Sequence, residues 1–314
     1  MALITKYGSL WGDVPLTSGR VFWVAPAASY TVEGRTYSAS DDNDGLSPER
    51  ALRTVNQFVT NATADVGDIC MLIPGSYTFT ATQTISKAGL KVFGLAGGPI
   101  DQHEHGTRTT RFDASLTTSA SAAVFTVTAA RTEIAYVHIV PLLAQAGVDL
   151  AAVDFNLHDI TWNMTTAADT ATFGISVTGA STRARVSNQY VYVTDNQGPF
   201  LRCASATGGL DGGVLQRSLI VLAGTTAWDD VVEITTGVDN FLIRDCDFMH
   251  SSGAIMTDIV DVTGNTNDHS VMVLRCYHQV AGDLSEATAT SDITLCNNFI
   301  ATIQGGTGGT LSTG

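Results

Sequence analysis

The stretch DDNDGLSPERALRTVNQFVTNATADVGDICMLIPGSY, residues 41–77, decides how the rest of the chain is interpreted. Its Ser47-Pro48-Glu49 run combines a good N-cap, a proline that suits the first helical position and an acid that favours the first turn. Apolar residues then recur at helical spacing until Gly67. The sequence therefore predicts one amphipathic helix, from residue 48 to about residue 62, whose apolar stripe is Leu52, Val55, Phe58 and Val59.

The chain changes character on both sides of this helix. GDICMLIPGSYTF, residues 67–79, predicts a strand, a Pro-Gly turn and a second strand, and VFWVA at 21–25 predicts an earlier one. Farther along, short runs rich in Val, Ile, Thr and Phe alternate with Gly, Asn and Asp turns, without a second obvious helix. One helix among many short strands is typical of a sandwich, a barrel or a solenoid.

A repeated pattern favours the solenoid. An apolar residue, a small or polar residue three positions on, and a second mostly apolar residue five positions on recur at steps of 22 to 30 residues. This period is typical of a parallel β-helix, here of eight turns including one near Val92, although a β-sandwich with similar strand spacing is the alternative. The first positions are Ile134, Leu157, Val186, Leu215, Ile243, Val273 and Leu295; the second are Ile139, Trp162, Val191, Ile220, Phe248, His278 and Ile300.

Composition limits the function. The 314 residues include 16 Lys+Arg against 30 Asp+Glu, a net charge of -14, which argues against nucleic acids and anionic membrane surfaces as partners. The sequence contains neither a signal-peptide pattern at its N-terminus nor an apolar run of the roughly 20 residues that a membrane helix needs. We expect the five cysteines to be small core residues of a protein made in a reducing compartment; they are Cys70, Cys203, Cys246, Cys276 and Cys296.

Residues 41–77 resemble the entry segment of right-handed parallel β-helix proteins of the pectin-lyase-like superfamily. In that family an Asp-Gly-x-Ser-Pro segment opens a capping helix, and a Gly-Asp leads into a first strand that ends in a Pro-Gly-x-Tyr turn. The resemblance implies an all-β right-handed parallel β-helix with one short N-terminal capping α-helix. The matching residues are Asp44, Gly45, Ser47, Pro48, Gly67, Asp68, Pro74, Gly75 and Tyr77.

The N-terminal arm followed by GRVFWVAP is similar to β-helix virion proteins of tailed bacteriophages, which include tail spikes and capsid-surface proteins. This resemblance implies a homo-oligomer, commonly a trimer, on the virion surface and outside the capsid, made in the host cytoplasm. We expect an arm at 1–20 with Tyr7 and Trp11 as interface anchors, one β-helix domain at 21–303, and a Gly-rich tail at 304–314.

Two functions follow from these observations. The first is a capsid-surface decoration or cement protein that contacts the major capsid protein or another virion protein. The second is a tail spike or depolymerase that binds or cleaves a host surface polysaccharide, as a lyase or glycoside hydrolase. A bacterial adhesin is a third interpretation, and we expect no cofactor for any of them.

Candidate acidic pairs are few. Glycosidases need two carboxylates facing one sugar. Asp245 and Asp247 flank Cys246, so both would point outward if Cys246 points inward; Arg244 and Arg275 lie one coil apart nearby. The alternative for all these acids is a solvated position at a strand end, so we assign no residue to catalysis. A second acidic set comprises Asp229, Asp230 and Glu233.

Other candidate sites concern sugars and metals. Exposed aromatics could contact sugar faces, and Tyr190 and Tyr192 would share one face of a regular strand. The DQHEHG segment offers His103 and His105 as possible metal ligands, although a polar loop is the simpler interpretation. DDNDG, residues 41–45, superficially resembles a calcium loop but reads more simply as a turn. The remaining aromatic candidates are Trp162, Trp228 and Tyr277, the remaining polar ones in DQHEHG are Asp101 and Glu104, and His278 is expected to be a wall residue.

Overall fold

The computed structural model describes most of the chain between residues 19 and 300. The expected arm at 1–20 lies almost entirely outside the described residues, as do the tail at 304–314 and the segment holding Asp101, His103, Glu104 and His105. The described ranges are 19–32, 34–95, 114–118, 122–142, 145–164, 172–194, 198–204, 209–223, 228–235, 238–250, 256–262, 271–279, 283–286, 293–296 and 298–300.

Within these ranges the chain forms one α-helix, α1 (Val55–Asn61), a short 3-10 turn at Pro48–Arg50, and strands β1 to β27. The strands are β1 Val21–Val24, β2 Ser29–Val32, β3 Arg35–Ser38, β4 Ile69–Leu72, β5 Gly75–Phe79, β6 Gln83–Ile85, β7 Lys91–Gly94, β8 Ala114–Thr118, β9 Phe125–Val127, β10 Glu133–Ala135, β11 Val137–Ile139, β12 Ala146–Leu150, β13 Asn156–Met164, β14 Phe173–Val177, β15 Arg185–Val193, β16 Leu201–Cys203, β17 Val214–Gln216, β18 Leu219–Leu222, β19 Trp228–Ile234, β20 Phe241–Arg244, β21 Asp247–His250, β22 Met256–Asp261, β23 Val271–Leu274, β24 Tyr277–Gln279, β25 Asp283–Glu286, β26 Ile293–Cys296 and β27 Phe299–Ile300.

These strands wind into a parallel β-helix. Apart from the antiparallel hairpin β2–β3, they form a large sheet of 17 strands and a small sheet of 8 strands, in which every described pairing is parallel. Each strand pairs with its counterpart one coil later, as β20 does with β23, β21 with β24, and β22 with β25. Each coil therefore contributes to the large sheet first and then to the small sheet.

The strand register confirms the sequence repeat. Every predicted first position pairs with the next one, and so does every second position from Ile139 to Ile300. The same register extends backward through Val92 and Cys70 to Phe22. The stack thus begins two coils before Val92, at which the predicted eight turns started. The sequence repeat did not reveal β1 as a coil of the stack because α1 and the hairpin lie between β1 and β4 in the sequence.

A sharp bend divides the large-sheet part of each coil. One residue per coil adopts positive φ there, as Asn188 does at 54° and Asp245 at 54°. At Asn188 the bend disrupts the regular hydrogen bonding, and the next, inward residue supplies a donor: Gln189 Nε2 donates to the carbonyls of Leu157 and Ser187 at 3.1 and 2.6 Å. The bend residues are Tyr136, Asp159, Asn188, Arg217, Asp245 and Arg275.

The inward side chains fill one continuous core. Trp162 is fully buried and donates its indole N–H to Gln189 Oε1 at 2.7 Å, so even its polar atom is satisfied inside the stack. The prediction that cysteines are core residues is confirmed for Cys70, Cys203, Cys246 and Cys276, which are buried. Burial of the thiol raises the pKa of Cys70 far above its ordinary value.

The predicted helix from 48 to about 62 is wrong in its boundaries. Leu52 forms a parallel bridge with Val24, which keeps the chain around it extended and confines α1 to Val55–Asn61. Ser47 makes no capping hydrogen bond, whereas Thr54 Oγ1 accepts from Gln57 N–H at 3.1 Å. Pairing in the solenoid therefore overrides the local helix signal.

The shorter helix still covers the N-terminal end of the stack. Val55 and Phe58 are buried, Phe58 meets Phe22 edge to face at 5.4 Å, and Gln83 Oε1 accepts from the backbone N–H of Val55 at 2.9 Å. Gln83 belongs to β6, the edge strand of the small sheet at the N-terminal end of the stack. The helix α1 therefore lies where the next strand of that sheet would be and covers its edge. No helix in the described part of the chain has the length and apolarity to cross a membrane.

Buried Asp68 ties the helix to the first strand. Its carboxylate accepts from the backbone N–H of Arg20 at 2.6 Å, from Thr63 N–H at 2.8 Å and from Arg20 NH2 at 2.9 Å. Burial would raise the pKa of Asp68, but the hydrogen bonds from Thr63 and Arg20 outweigh it and hold the pKa below its ordinary value. The Gly-Asp of the entry segment thus has a structural reason.

The hairpin β2–β3 covers the outer face of the large sheet at the same end. Tyr30 and Val32 form a small second core with Trp23, Met71 and Phe93, which point outward from the coils. Tyr30 also donates its hydroxyl to the Pro48 carbonyl and accepts from Ala51 N–H. Outward apolar residues of the first coils are therefore buried by the chain itself.

Candidate functional site

A row of polar side chains runs along the outside of the small sheet. Because side chains alternate between the two faces of a strand, the residues between the buried positions of β12, β14, β16, β19 and β22 point outward. The register places one such residue of each strand beside the next, about 4.8 Å apart. We call this set the outer row: Asp149, Ser176, Arg202, Glu233 and Asp261.

Asp149 begins the outer row with a perturbed carboxyl group. The residue is half-buried on β12, beside Thr126 and Ser176 in the register. Burial raises the pKa of Asp149 above its ordinary value, and no compensating cation contributes. Such a carboxyl group takes up a proton at a higher pH than an exposed aspartate does, and once protonated it can donate a hydrogen bond as well as accept one.

Arg202 occupies the middle of the outer row. Its guanidinium lies over the ring of Phe173, 4.8 Å from the ring centroid, and its Nε lies 3.2 Å from Glu233 Oε2. Although this distance defines an ion pair, the buried Nε–H is not directed at the carboxylate and makes no hydrogen bond. The side chain is about one-third exposed, so a ligand would be bound by the solvent-facing part of the guanidinium and not by the buried Nε.

Glu233 and Asp261 are adjacent carboxylates of the outer row. Neighbouring strands separate their backbones by about 4.8 Å, close to the roughly 5 Å between the two carboxyl groups of retaining glycosidases. Asp149 lies three strands from Glu233, roughly 14 Å away, which is too far to act on the same bond. Within the outer row as defined, Glu233 and Asp261 are the two acids with a spacing compatible with cleavage.

The second predicted acidic set falls partly in this region. Glu233 belongs to the outer row, and Asp230 is a half-buried residue of the same strand whose backbone pairs with that of Asp258. Asp229 is in β19, but its side chain lies outside what the structure describes. The sequence interpretation thus named residues of β19 without identifying their neighbours Arg202 and Asp261.

The first predicted acidic pair does not face one sugar. Cys246 points inward as expected, but Asp245 occupies the bend and its carboxylate binds Arg275 Nε and NH2 at 2.7 and 3.0 Å. Hydrogen bonding from Arg275 lowers the pKa of Asp245, which opposes a role as a proton donor. Asp247 is exposed at the start of β21, and Arg244 is bonded to Gln216 Oε1 at 2.6 and 2.9 Å. All of them lie on the large sheet, away from the outer row.

The aromatic candidates divide into buried and outward residues. Trp228 is wrong as a sugar platform because it is fully buried and donates its indole N–H to the Gly198 carbonyl at 3.2 Å. Trp162 is excluded for the same reason. Tyr190 and Tyr192 do share the outward face of β15, where both are half-buried, and Tyr277 is half-buried on β24. The described side chains do not include that of His278.

A charged cluster that the sequence analysis missed joins three coils of the large sheet. His158 Nε2 lies 2.8 Å from Glu133 Oε1, its Nδ1 lies 2.7 Å from Asp159 Oδ2, and Lys91 Nζ lies 2.8 Å from Glu133 Oε2. Burial would lower the pKa of His158, but the hydrogen bonds that its ring donates to the carboxylates of Asp159 and Glu133 outweigh it and raise the pKa to about 9. Glu133 and His158, 25 residues apart, are separated by one repeat step, which was an available signal; Lys91 lies 42 residues before Glu133, so its place in the cluster could not be inferred from the repeat.

This cluster is a structural clamp. Both ring nitrogens of His158 are engaged by carboxylates, so the imidazole has no free position for a metal or for a substrate proton. The described residues contain no group of three His, Cys, Asp or Glu suited to a metal ion. In the DDNDG turn, Asp41 Oδ1 accepts from the backbone N–H of Arg53 and Thr54, as expected of a turn.

The fold resembles that of several solved structures, two of which are pectin methylesterases. A pectin methylesterase from Aspergillus niger superimposes with a TM-score of 0.56 at 14% identity, covering 92% of this chain and 88% of that one. A pectin methylesterase in complex with a hexasaccharide superimposes with the same TM-score of 0.56 at 10% identity, covering 86% and 92%. The Escherichia coli protein ybhc superimposes with a TM-score of 0.51 at 12% identity, covering 91% and 86%.

A phage protein of this architecture is also similar. The tailspike gp49 of the Acinetobacter baumannii bacteriophage Fri1, a capsular polysaccharide depolymerase, aligns with a TM-score of 0.47 at 12% identity, covering 73% of this chain and 43% of that one. No protein-family model matches the chain, and no curated protein sequence matches it. The fold is thus a right-handed parallel β-helix, as the entry segment implied.

Proposed function

We propose that this chain is a polysaccharide-binding β-helix protein of a tailed-bacteriophage particle, and that the glycan lies along the outer row. The observation that carries the proposal is the row itself, in which one hydrogen-bonding side chain follows another at each coil from Asp149 to Asp261. A sugar chain parallel to the helix axis would meet one such group per coil. The assignment to a phage rests on the resemblance of the entry segment and arm.

The charges of the outer row favour one class of glycan. Three of its five residues are acids, and Arg202 is already close to Glu233. A polyuronate would be repelled, because like charges facing each other in a partly buried site are unfavourable. We therefore expect a neutral or amino-sugar polysaccharide, whose hydroxyl or ammonium groups donate to Asp149, Glu233 and Asp261.

Binding to immobilised polysaccharides tests this proposal. The probes are a neutral bacterial capsular polysaccharide set and polygalacturonate, presented to the full chain. We expect binding within the neutral set, no binding to polygalacturonate, and at least a tenfold loss of affinity in Arg202→Gln. The matched control is Arg131→Gln, an exposed arginine paired with Asp65 at 2.7 Å on another side of the coil. Equal affinity of Arg202→Gln and the wild type would contradict the proposal.

Cleavage is a separate part of the proposal, supported by the spacing of Glu233 and Asp261. We expect any depolymerase activity to disappear in Glu233→Gln and Asp261→Asn, while binding of the same polysaccharide persists. Cleavage is measured as the release of new reducing ends from the polysaccharide, and binding is measured in parallel, so that the two functions are separated. Release that persists in both variants would exclude the pair as the catalytic carboxylates.

A capsid-surface decoration protein is the second candidate, favoured by a different observation. The large sheet carries outward apolar residues in its C-terminal coils, including Met272 with 44% of its surface exposed. Such a surface suits a protein that assembles with other particle components. The test is the position of the chain on purified particles: labelled antibody bound over the head supports decoration, and antibody bound at the tail supports the spike.

A further inference from the structure

Two buried cysteines occupy the same position in successive coils of the large sheet, directly after the bend. The register on either side of the bend, from β20 to β23 and from β21 to β24, places Cys246 opposite Cys276. Neighbouring strands are about 4.8 Å apart, within the range of about 4.4–6.8 Å that separates the Cα atoms of disulfide-bonded cysteines. Both side chains point into the core and are fully buried. The backbone therefore already holds the two residues at disulfide spacing.

The coils on either side of this pair have stronger hydrogen-bonding residues at the same position. Ser218 Oγ donates to a carbonyl of its own coil at 3.0 Å, and Asn298 Nδ2 donates to a carbonyl of the previous coil at 3.1 Å. Cys246 Sγ and Cys276 Sγ lie 3.3 and 3.6 Å from the carbonyl oxygens two residues before them. Because a thiol is a weak donor, hydrogen bonding to the bend is a poor reason for cysteine at two consecutive coils.

The two thiols also affect each other's ionisation. When Cys276 ionises, the Cys246 thiol donates a hydrogen bond to it, and this bond lowers the pKa of Cys276 although the residue is buried. Burial raises the pKa of Cys246. Since the thiolate is the species that attacks a disulfide, Cys276 is the group that reacts first with an oxidant, and Cys246 is the group that closes the bond.

The pair lies near the C-terminal end of the described stack. Among the described strands of the large sheet, β26 and β27 alone follow the coil that contains Cys276. A coil of a solenoid contacts its neighbours and little else, so the last coils can open while the remainder stays folded. Such opening admits a small oxidant to Cys276. It also makes this end of the stack the part that a covalent link stabilises most.

We propose that Cys246 and Cys276 become joined by a disulfide bond once the protein leaves the reducing compartment in which it is made, and that this bond holds the last coils together. The proposal goes beyond the polysaccharide function and does not depend on it, because the pair lies in the core beside the large sheet and the outer row lies outside the small one. The link is a modification that converts a stack of separable coils into a stapled one.

The oxidant is a low-molecular-weight disulfide, and the reaction is thiol–disulfide exchange. The Cys276 thiolate attacks one sulfur of the oxidant, which forms a mixed disulfide and releases one small thiolate. Cys246 then loses its proton to solvent and attacks the Cys276 sulfur, which releases the second small thiolate. Two protein thiols are thereby oxidised to one disulfide, and the oxidant is reduced to two thiols.

Peptide mapping of the oxidised full chain tests the link. The chain is incubated with oxidised glutathione, alkylated and digested with trypsin, which cleaves after Arg244 and Arg275 and so releases Cys246 and Cys276 on separate peptides. We expect a linked pair of these peptides that is two hydrogens lighter than the two together. If the pair stays unlinked even at half the urea concentration that unfolds the chain, where the last coils open, the proposal is overturned.

Three single substitutions identify the linked residues. Cys276→Ser should abolish the link. Cys296→Ser should retain it, and this variant is needed because Cys296 lies on the same tryptic peptide as Cys276. The matched control is Cys203→Ser, since Cys203 is also buried but has Val177 and Ile234 as its register neighbours, and it should retain the link as well. A link that Cys276→Ser leaves intact, or that Cys296→Ser removes, would assign the chemistry to other cysteines and contradict the proposal.

Unfolding in urea tests whether the link acts as a staple. The disulfide joins residues 30 positions apart and restricts the unfolded chain, so we expect the oxidised wild type to have an unfolding constant at least tenfold smaller than the reduced wild type. Amide hydrogen exchange in β24 and β26 should slow at least tenfold in the oxidised form. Because each comparison uses one chain in two redox states, it does not depend on how well a variant folds. Equal unfolding constants and equal exchange rates in the two states would contradict a stabilising link.

Discussion

The large sheet has one backbone design and two different outer surfaces. In its early coils, Lys91, Glu133, His158 and Asp159 neutralise one another within hydrogen-bond distance, so that surface is satisfied by its own side chains. In its late coils, Leu242 and Met272 occupy positions equivalent to Lys91 and leave apolar area in water. Inward residues are alike in both halves. The comparison teaches that inward residues specify the solenoid and outward residues specify what each coil contacts.

The largest expected effect separates inward from outward residues. Trp162→Ala removes a fully buried indole, leaves a cavity and deprives Gln189 Oε1 of its donor, so we expect about 3–5 kcal/mol less stability toward urea. Tyr192→Ala, an outward aromatic change in the adjacent coil, is the control and should cost less than about 1 kcal/mol. Similar unfolding midpoints for the two variants would contradict the distinction.

The next effect concerns the first coil. Asp68→Asn exchanges a carboxylate for an amide, which cannot accept all three hydrogen bonds from Arg20 and Thr63, and we expect about 2 kcal/mol less stability at pH 7.

The pH dependence of Asp68 gives an independent check. Its folded pKa lies below the ordinary value of 3.8, so its contribution is present above that value and is lost as the pH falls through the folded pKa. When unfolding is measured from pH 7 to pH 2, the difference in unfolding free energy between the wild type and Asp68→Asn should become smaller below pH 4. A difference that stays constant over this range would exclude the carboxylate as its source.

A smaller effect tests the charged clamp of the early coils. The folded pKa of His158 is raised from 6.5 to about 9, so its contribution to stability is complete below pH 6.5 and is lost as the pH rises through 9. We expect the thermal midpoint of the wild type to fall between pH 6.5 and pH 9. His158→Gln should be less stable at pH 6 and should lose this slope. An identical slope in the variant would assign the pH dependence to other groups.

The smallest effect is expected at an exposed ion pair. Arg183 Nε lies 2.6 Å from Asp154 Oδ1, but both side chains are open to solvent, where such pairs contribute little. Arg183→Gln should therefore leave the unfolding midpoint unchanged. If Arg183→Gln lowered the unfolding midpoint more than His158→Gln does, exposed ion pairs would contribute more stability than half-buried ones, contrary to this account.

The sequence predicted the solenoid well because its signal is local and repeated. The positions from Ile134 to Val273 are buried at every coil, and the register confirms each step of the repeat as far as Leu295. The helix boundaries were wrong because the bridge between Leu52 and Val24 is a contact across 28 residues, which no local pattern reports.

The site was harder to predict for a related reason. Glu233 was a candidate, but its neighbours Arg202 and Asp261 lie about one coil away in sequence, and variable loop lengths hide which outward residues align. Trp228 looked suitable for a sugar because strand alternation alone does not say which face is inside. The strand register of the structure shows which outward residues are neighbours, and the burial of each residue shows which face of a strand is inside.

The most direct test of the account is the crystal structure of the full chain with a bound oligosaccharide from the neutral polysaccharide that it retains. The account predicts a sugar chain running along the small sheet, with hydroxyl groups within hydrogen-bond distance of Arg202 and Glu233. A sugar chain bound on the large sheet beside Tyr190 and Tyr192, with the outer row empty, would contradict it.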